Sequence, residues 1–557
     1  MELGQYKDEH IRDVLEGINE EYFLPHIQRA FVWKEEQIKK LFDSLLRGYP
    51  IGTFLFWITK DAQVRRRKFL ANFYKKYSKN FNIEKLGLED TAFRKDITLV
   101  LDGQQRLQSL FVALKGKYED RELYFDLLSG ETEDEEGVLY KFDFFRNQPK
   151  NNSDHFWLKA KDLLAKLVGE KSDDEVDVSD ELSVSFEDPA KRKTVRRNAS
   201  RFLRALAVEN NLSYYSEATQ VPEKVFDIFV RVNSFGTPLS KSDLLFSFIK
   251  LKWKKFEAEK AFPDLLERIN GSEQFDFDVD FILKTSVVLL KFPARYTIKT
   301  FTGSKGKEIA EKMEENWRQI SRSITSVVDL IRDEFKITNR RLLPSNNALV
   351  PIVYYAHIKN KTSKSSFDRE DKEIIKNWLV NALLCGAFSG HSDTLLDKAR
   401  KTIEESHAKR FPAKEINVEF RALQRITEVT KNIIKSIGYG EPESYLLLYL
   451  IYPHGTNFRP SSDANYPEQD HIFSHHELEA YYDECEINRI GNLRLVTLNA
   501  NRRKSDTPYK EWIQKEKKEE LKLTLIPGKP SDWKVQNFSK FVQKREDEIL
   551  RRIGRSL

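Results

Sequence analysis

Hydrophobic residues recur along the chain with periods that separate helices from strands. Residues Glu35 to Leu46 place apolar side chains at helical spacing before the turn Arg47-Gly48-Tyr49-Pro50, which predicts a helix. Residues Ile51 to Thr59 alternate apolar and small side chains and predict a strand. Ile97 to Leu101 is a short run rich in β-branched residues, and Leu107 to Leu114 resumes the helical period. The first part of the chain is therefore predicted to be an α/β domain.

Later segments show a different pattern. Between residues 129 and 193 the periodicity weakens and acidic clusters appear, which predicts solvated loops or an insertion. From about residue 250 to 436 the pattern is predominantly helical. A length of 557 residues also indicates several domains. We expect an α+β multi-domain protein divided into residues 1–250, a helical middle region 251–436 and a C-terminal domain 437–557.

The composition is typical of a globular protein in a reducing compartment. Hydrophobic residues make up 40% and charged residues 32%. The two cysteines stand far apart, so they form neither a disulfide framework nor a CxxC metal cage. No apolar signal core opens the chain, and the hydrophobic run Tyr445 to Tyr452 is far shorter than the about 20 residues that span a bilayer. We expect a cytoplasmic protein with no membrane partner.

Charge is nearly balanced over the whole chain but not at its end. The formal net charge is +6. Residues 501–557 carry 16 Lys and Arg against 9 Asp and Glu. A local basic excess attracts phosphate groups, so any nucleic acid is expected to bind near the C-terminus.

Residues that can perform hydrolytic chemistry follow one another near the C-terminus. They are Asp470-His471-Ile472-Phe473, Gly491-Asn492-Leu493 and the stretch Asn499 to Lys504. A phosphodiester hydrolase needs a base for water, a hard divalent cation at the scissile phosphate and a cation for the developing charge. His471 can act as the base, and Asp470 with Asn501 can supply oxygen ligands for Mg²⁺ or Mn²⁺. Lys504 or Arg502 can face the phosphate.

This order of residues resembles the ββα-metal HNH nucleases, in the variant found at the C-terminus of GmrSD-type modification-dependent (type IV) restriction enzymes. The resemblance implies that His471 is the general base and that Asp470 and Asn501 are metal ligands. It also implies that Asn492 orients the histidine. Ser474 stands where these nucleases usually have proline, which changes the turn rather than the chemistry.

A zinc site is an alternative interpretation of the same segment. Its ligands would be His471, His475, His476 and Cys485. An HxxxH pair on one helix face can bind metal, but the order of ligands for a closed structural site is incomplete.

A second candidate site lies in the N-terminal domain, where Asp102-Gly103-Gln104-Gln105-Arg106 follows the predicted strand directly. Glycine allows close backbone approach, and the N–H groups at a helix start can receive a phosphate. Gln104 and Gln105 can position water or phosphate, and Arg106 can act as a bidentate phosphate donor. An ordinary turn with Asp102 as the helix N-cap is the alternative. The chain has no GxxxxGK[ST] motif, so this is not a P-loop.

Together with Gln28-Arg29 and the stretch from Asn233 to Gly236, this motif resembles the N-terminal NTPase domain of the same GmrSD-type proteins. That domain is similar to the ParB and sulfiredoxin fold. The resemblance implies binding and hydrolysis of GTP, UTP or ATP. The residues it implies at the nucleotide are Gln28, Arg29, Asp102, Gly103, Gln104, Gln105, Arg106 and Asn233.

The two resemblances together imply an NTP-dependent DNA endonuclease of antiphage defence. By resemblance, its partner is foreign double-stranded DNA that carries a modification such as glucosylated or hydroxymethylated cytosine. One HNH site per chain also predicts a homodimer where both strands are cut. Two alternatives stay open: an SspE-type defence NTPase and nickase responsive to phosphorothioate DNA, and a non-catalytic sensor of DNA modification. The intact His471 and Asn501 argue against the sensor.

Overall fold

The computed structural model describes residues 4–25, 31, 33–59, 66–74, 97–166, 174–233, 241–271, 275–296, 304–390, 392–452, 467–516 and 518–554. The chain divides into two compact units. The first contains Met1–Lys260 with Thr297–Ala310, and the second contains Ala261–Tyr296 with Glu311–Leu557. The C-terminal candidate site lies in the second unit and the DGQQR motif in the first.

Eleven described strands lie in the first unit. They are β1 (Gln5–Glu9), β2 (Tyr22–Pro25), β3 (Phe54–Thr59), β4 (Arg66–Arg67), β5 (Asn72–Phe73), β6 (Ile97–Asp102), β7 (Lys117–Tyr118), β8 (Glu122–Asp126), β9 (Phe142–Phe145), β10 (Trp157–Lys159) and β11 (Leu212–Glu217). Six of them form a mixed sheet in the order β1-β11-β3-β6-β2-β4, and β10-β8-β9 form a smaller sheet. The central strands β3 and β6 are almost entirely buried, as expected for strands that are covered on both faces.

The helices of the N-terminal part follow the predicted periods. They are α1 (Ile11–Glu16), α2 (Glu35–Leu46), α3 (Gln104–Lys115), α4 (Ala160–Ala165), α5 (Asp174–Ser183), α6 (Pro189–Ala207), α7 (Pro222–Asn233) and α8 (Lys241–Lys252). The predicted helix over Glu35 to Leu46 is confirmed with the same bounds. The strand predicted from Ile51 begins only at Phe54, because Ile51 to Thr53 form a loop held by an arginine side chain.

The expectation of loops throughout residues 129–193 is wrong for most of that range. Strands β9 and β10 and helices α4 and α5 lie within it, and α6 begins there. Residues 131–137 form the longest exposed run among the described residues of this range, and shorter exposed runs lie at 150–154 and 187–190. The aromatic side chains account for the difference: Phe142 of β9 stacks on Phe125 at a centroid distance of 4.5 Å, within the buried core. Packing of these aromatic rings outweighs the local acidic charge.

The predicted helical character of residues 251–436 is confirmed. The remaining helices are α9 (Ala258–Asn270), α10 (Val279–Leu289), α11 (Ser304–Asp329), α12 (Val350–Ile358), α13 (Arg369–Leu384), α14 (Asp393–Glu405), α15 (Ala413–Ala422), α16 (Lys431–Ser436), α17 (Pro442–Leu450), α18 (His475–Leu478), α19 (Glu484–Ile487), α20 (Leu498–Lys504), α21 (Tyr509–Lys515), α22 (Lys518–Leu523) and α23 (Phe538–Gly554). Helix α12 is apolar on all sides and nearly all buried, which identifies it as a core helix.

The C-terminal segment adds two strands, β12 (Glu468–His471) and β13 (Leu493–Val496), which pair with each other. A separate apolar cluster supports this hairpin: Phe473, which follows β12, stacks on Tyr509 at 4.0 Å and also contacts Phe538 of α23. Among the described residues, no helix has the length and apolarity needed to cross a membrane.

Candidate functional site

The hairpin β12–β13 and the helix α20 that follows it form a ββα unit. The strands are antiparallel, and Asp470 pairs with Arg494 across them. Side chains alternate along a strand, so Glu468 and Asp470 share one face of β12. Helix α20 covers this face, because Nδ2 of Asn501 donates to Glu468 at 2.7 Å and Nζ of Lys504 donates to Asp470 at 3.0 Å. The sequence motif is thus brought together as two strands and a helix.

Asp470 is buried and is neutralised by two cations. Its Oδ2 accepts from Nε of Arg494 at 2.8 Å, and its Oδ1 accepts from Lys504. Lys504 also donates to the backbone carbonyl of His471, and burial lowers the pKa of its ammonium group. The guanidinium of Arg494 lies 4.3 Å from the ring centroid of Trp512. Sequence reasoning missed Arg494, since only the register of the hairpin places it opposite the aspartate.

His471 is held by contacts on two sides. Its ring stacks on Tyr439 with a centroid distance of 5.0 Å and an interplanar angle of 28°. Its Nε2 lies 2.9 Å from Oδ1 of Asn488, whose Nδ2 donates to Glu484 at 2.8 Å. Because the amide nitrogen faces a carboxylate, the amide oxygen is the atom that faces the imidazole. This network assigns the proton to Nε2 and leaves the Nδ1 lone pair available as a base.

Burial lowers the pKa of His471, opposed by the hydrogen bond with Asn488 and by the charge of Asp470. A lowered pKa means that the imidazole is neutral at neutral pH. A neutral imidazole with a free Nδ1 is the form that a general base requires.

The side chain of Asn492 does not bond to the imidazole of His471. It bonds instead to backbone groups of nearby residues. The side chain is fully buried, accepts from the backbone N–H of Phe473 at 2.9 Å, and donates to the carbonyls of Phe473 and Ile487 at 3.2 and 3.0 Å. The side chain that bonds to the imidazole is Asn488. This detail differs from the role implied by resemblance, in which Asn492 orients His471.

The turn before Asn492 is fixed by helix α23. Nη1 of Arg545 donates to the carbonyls of Ile490 and Gly491 at 3.1 and 3.0 Å. A Cβ atom on Gly491 would lie 2.6 Å from the carbonyl oxygen of Val542. The close approach of α23 therefore explains why glycine stands at this position.

The oxygen donors of the ββα face fit a hard divalent cation in kind. The carboxylates of Glu468 and Asp470 and the amide of Asn501 lie on this face, and such oxygens are the ligands that Mg²⁺ prefers. In the conformation described, the ammonium of Lys504 provides the positive charge next to Asp470.

Two of the four zinc candidates, His475 and His476, are engaged with carboxylates. Nε2 of His475 lies 2.6 Å from Glu484, and Nδ1 of His476 lies 2.8 Å from Glu479. Within the described part of the chain, no group of three or more His, Cys, Asp or Glu side chains is placed to hold a metal ion. The geometry therefore gives the zinc interpretation no support.

In the first unit, the predicted strand, turn and helix around DGQQR are confirmed as β6, Gly103 and α3. Gly103 has a φ of +83°, and a Cβ atom there would lie 2.2 Å from the ring of Phe54. Arg106 donates to the carbonyls of Ile51 and Thr53 and lies 3.3 Å from Asp102. The guanidinium of Arg106 thus stabilises the loop from Ile51 to Thr53. Its N–H groups, which were expected to bind phosphate, donate to carbonyl oxygens of this loop instead.

The structure describes only some of the other residues that were predicted to bind the nucleotide. Gln104 and Gln105 lie in the first turn of α3 and are half-buried. Gln28 and Arg29 lie outside the described residues, and Asn233 is the last residue of α7.

Comparison with known proteins finds similarity to a GmrSD-type domain in the N-terminal part of the chain. Residues 11–250 match the family model of the GmrSD restriction endonuclease N-terminal domain. An uncharacterized protein of Methanocaldococcus jannaschii is 29% identical over 276 residues, which are 46% of this chain and 45% of that relative. The chain thus matches less than half the length of that relative. The family match shows that residues 11–250 are similar to the N-terminal domain of a restriction endonuclease.

Proposed function

We propose that the chain is a metal-dependent DNA endonuclease of antiphage defence whose cleavage centre is the ββα unit. One observation carries this proposal: a neutral His471, with its Nε2 bonded to Asn488, directly follows Asp470 at the end of β12, the strand whose Glu468 and Asp470 face helix α20 with Asn501. General bases with this protonation state and hard oxygen donors are the parts that phosphodiester hydrolysis needs.

In the proposed reaction, Nδ1 of His471 accepts a proton from water while the water oxygen bonds to phosphorus. The bond between phosphorus and the leaving oxygen breaks, and that oxygen takes up a proton from solvent water. Mg²⁺ or Mn²⁺ held by Asp470 and Asn501 would supply Lewis-acid stabilisation of the phosphate charge. Lys504 or Arg502 would add positive charge on the same side.

DNA binding would use the basic surface next to this centre. Arg502 and Arg503 are exposed on α20, one helical turn or less from Asn501 and Lys504. Guanidinium groups at such positions neutralise backbone phosphates without reading the base sequence.

The N-terminal unit would bind and hydrolyse GTP, UTP or ATP and would gate cleavage. This assignment follows from the resemblance of the DGQQR region to a GmrSD-type NTPase domain, and residues 11–250 match the family model of the GmrSD restriction endonuclease N-terminal domain. Since Arg106 braces the loop from Ile51 to Thr53, we assign the phosphate contacts to Gln104, Gln105 and the N–H groups at the start of α3. By resemblance, the preferred DNA carries glucosylated or hydroxymethylated cytosine.

A non-catalytic sensor is the second candidate, favoured by one observation. Both oxygens of Asp470 already accept hydrogen bonds from buried cations, Arg494 and Lys504. If these contacts never open, Asp470 is unable to ligate a metal. Calorimetric titration with Mn²⁺ separates the two candidates. The nuclease should bind Mn²⁺ and lose this binding in Asp470→Ala, whereas a sensor should show no Mn²⁺ binding that depends on Asp470.

The decisive experiment is cleavage of plasmid and phage DNA with Mg²⁺ or Mn²⁺, with and without nucleotide. We expect wild type to cut glucosylated or hydroxymethylated DNA and His471→Ala to lose cutting but to keep NTP hydrolysis. His476→Ala is the matched control, because that side chain is 75% exposed. Cleavage of unmodified DNA alone would favour the phosphorothioate-linked alternative, and loss of both activities in His471→Ala would contradict the division of labour.

A further inference from the structure

A pocket of about 790 Å³ opens in the second unit beside the ββα hairpin. Its lining comes from the turn around Arg340, from Asp276 before α10, from Tyr439 and the start of α17, from strand β12, and from Asn501 of α20. This volume lies within the range of sites that hold small molecules and nucleotides. Tyr439 lines the pocket and also stacks on His471, so the pocket adjoins the proposed cleavage centre.

Several polar side chains of the pocket have no partner among the described residues. Arg340, Asn346, Asp276 and Glu441 make no hydrogen bond or ion pair with the described part of the chain. Arg341, by contrast, donates to the carbonyl of Pro467 at 3.3 Å. The four unpaired groups remain able to bind a ligand.

The charges of the lining favour a neutral ligand. Two guanidinium groups, from Arg340 and Arg341, face three carboxylates, from Asp276, Glu441 and Glu468. An isolated phosphate would meet an excess of negative charge, whereas an apolar ligand would leave these polar groups unpaired. A neutral group with both donors and acceptors on its edge satisfies the lining.

We propose that this pocket receives one nucleobase turned out of the DNA helix next to the scissile phosphate. A nucleobase is neutral and flat, and its edge offers donors to carboxylates and acceptors to guanidinium and amide groups. The half-exposed ring of Tyr439 provides an aromatic surface of the kind on which bases stack. The inference rests on the proposed nuclease function. It means that chemical substituents on the base are recognised in this pocket.

The test uses the full chain in EDTA and duplexes with 2-aminopurine at successive positions of a DNA that wild type cleaves. Turning a base out of the stack relieves quenching, so fluorescence should rise severalfold at one position. Arg340→Ala and Asn346→Leu should abolish the rise and weaken binding roughly tenfold. Arg369→Ala is the control, because this arginine side chain is 92% exposed.

The outcomes separate the pocket from the nuclease. Cleavage by wild type without brightening at any position, together with unchanged cleavage by Arg340→Ala and Asn346→Leu, would overturn the pocket while leaving the nuclease intact. Failure of wild type to cleave or bind any DNA would overturn both. The melting temperatures of the variants should equal that of wild type, which would show that a lost fluorescence signal does not come from unfolding.

Discussion

Nε2 of His471 lies 2.9 Å from Oδ1 of Asn488. The amide of Asn488 is in turn oriented by Glu484, which also accepts from His475 at 2.6 Å. Since the carboxylate selects which end of the amide faces the histidine, the network selects one imidazole tautomer. The orientation of the proposed base therefore depends on side chains that bind no substrate.

Removing the amide in Asn488→Ala should lower kcat by roughly 10- to 100-fold, a part of the 10²- to 10⁴-fold effect of a general base. KM should change little, since Asn488 acts through His471. Asn488→Asp keeps an acceptor for Nε2–H, so it should retain more activity than alanine and shift the acid limb of the pH profile upward. Equal loss in both variants, with equal loss of thermal stability, would indicate a purely structural role.

The pH dependence of cleavage follows from the lowered pKa of His471. Only the neutral imidazole accepts a proton, so activity should rise as pH increases through its pKa. Burial places that pKa below the ordinary value of about 6.5, so the rate should already be full at pH 7. Single-turnover cleavage between pH 4.5 and 8 measures the midpoint, and a midpoint above 6.5 would contradict a buried neutral base.

The local pattern of hydrophobic residues predicts many of the helices and strands. It does not predict contacts between residues that are far apart in the sequence. The helix Glu35–Leu46 has predicted bounds because its apolar period and flanking turn are local signals. The pairing of Arg494 with Asp470 depends on strand register, and the bond between Asn488 and His471 depends on the turn that α23 fixes. The strands within residues 129–193 were missed for the same reason, since distant aromatic rings stabilise them.

Asp470→Asn should destabilise the second unit by roughly 3 kcal/mol, because it removes the buried carboxylate that pairs with both Arg494 and Lys504 and leaves Arg494 with Glu516 alone. The same change should remove Mn²⁺ binding in calorimetry. Glu479→Gln, at an exposed ion pair, is the control and should alter neither measurement. Asn at position 470 with full thermal stability would mean that the buried cations do not depend on the carboxylate.

Arg106 and Gln104 should respond differently to substitution. Arg106→Ala removes the brace on the loop from Ile51 to Thr53, so the melting temperature of the first unit and NTP hydrolysis should both fall. Gln104→Ala changes a half-buried side chain that makes no hydrogen bond with the described residues, so hydrolysis alone should fall. Calorimetric melting with a phosphate-release assay distinguishes them. Loss of hydrolysis in Arg106→Ala without loss of stability would return Arg106 to a direct role at the phosphate.

Arg502→Ala and Arg503→Ala should weaken DNA binding to a similar extent on every base sequence. Both side chains are exposed on α20, where a backbone phosphate is the contact that they can make. Each substitution should reduce the slope of log Kd against log salt by about 1, since each lost phosphate contact releases one counter-ion fewer. Arg369→Ala, at the exposed start of α13, should leave that slope unchanged. A substitution that alters sequence preference instead of the salt slope would place that arginine in a groove and not on the backbone.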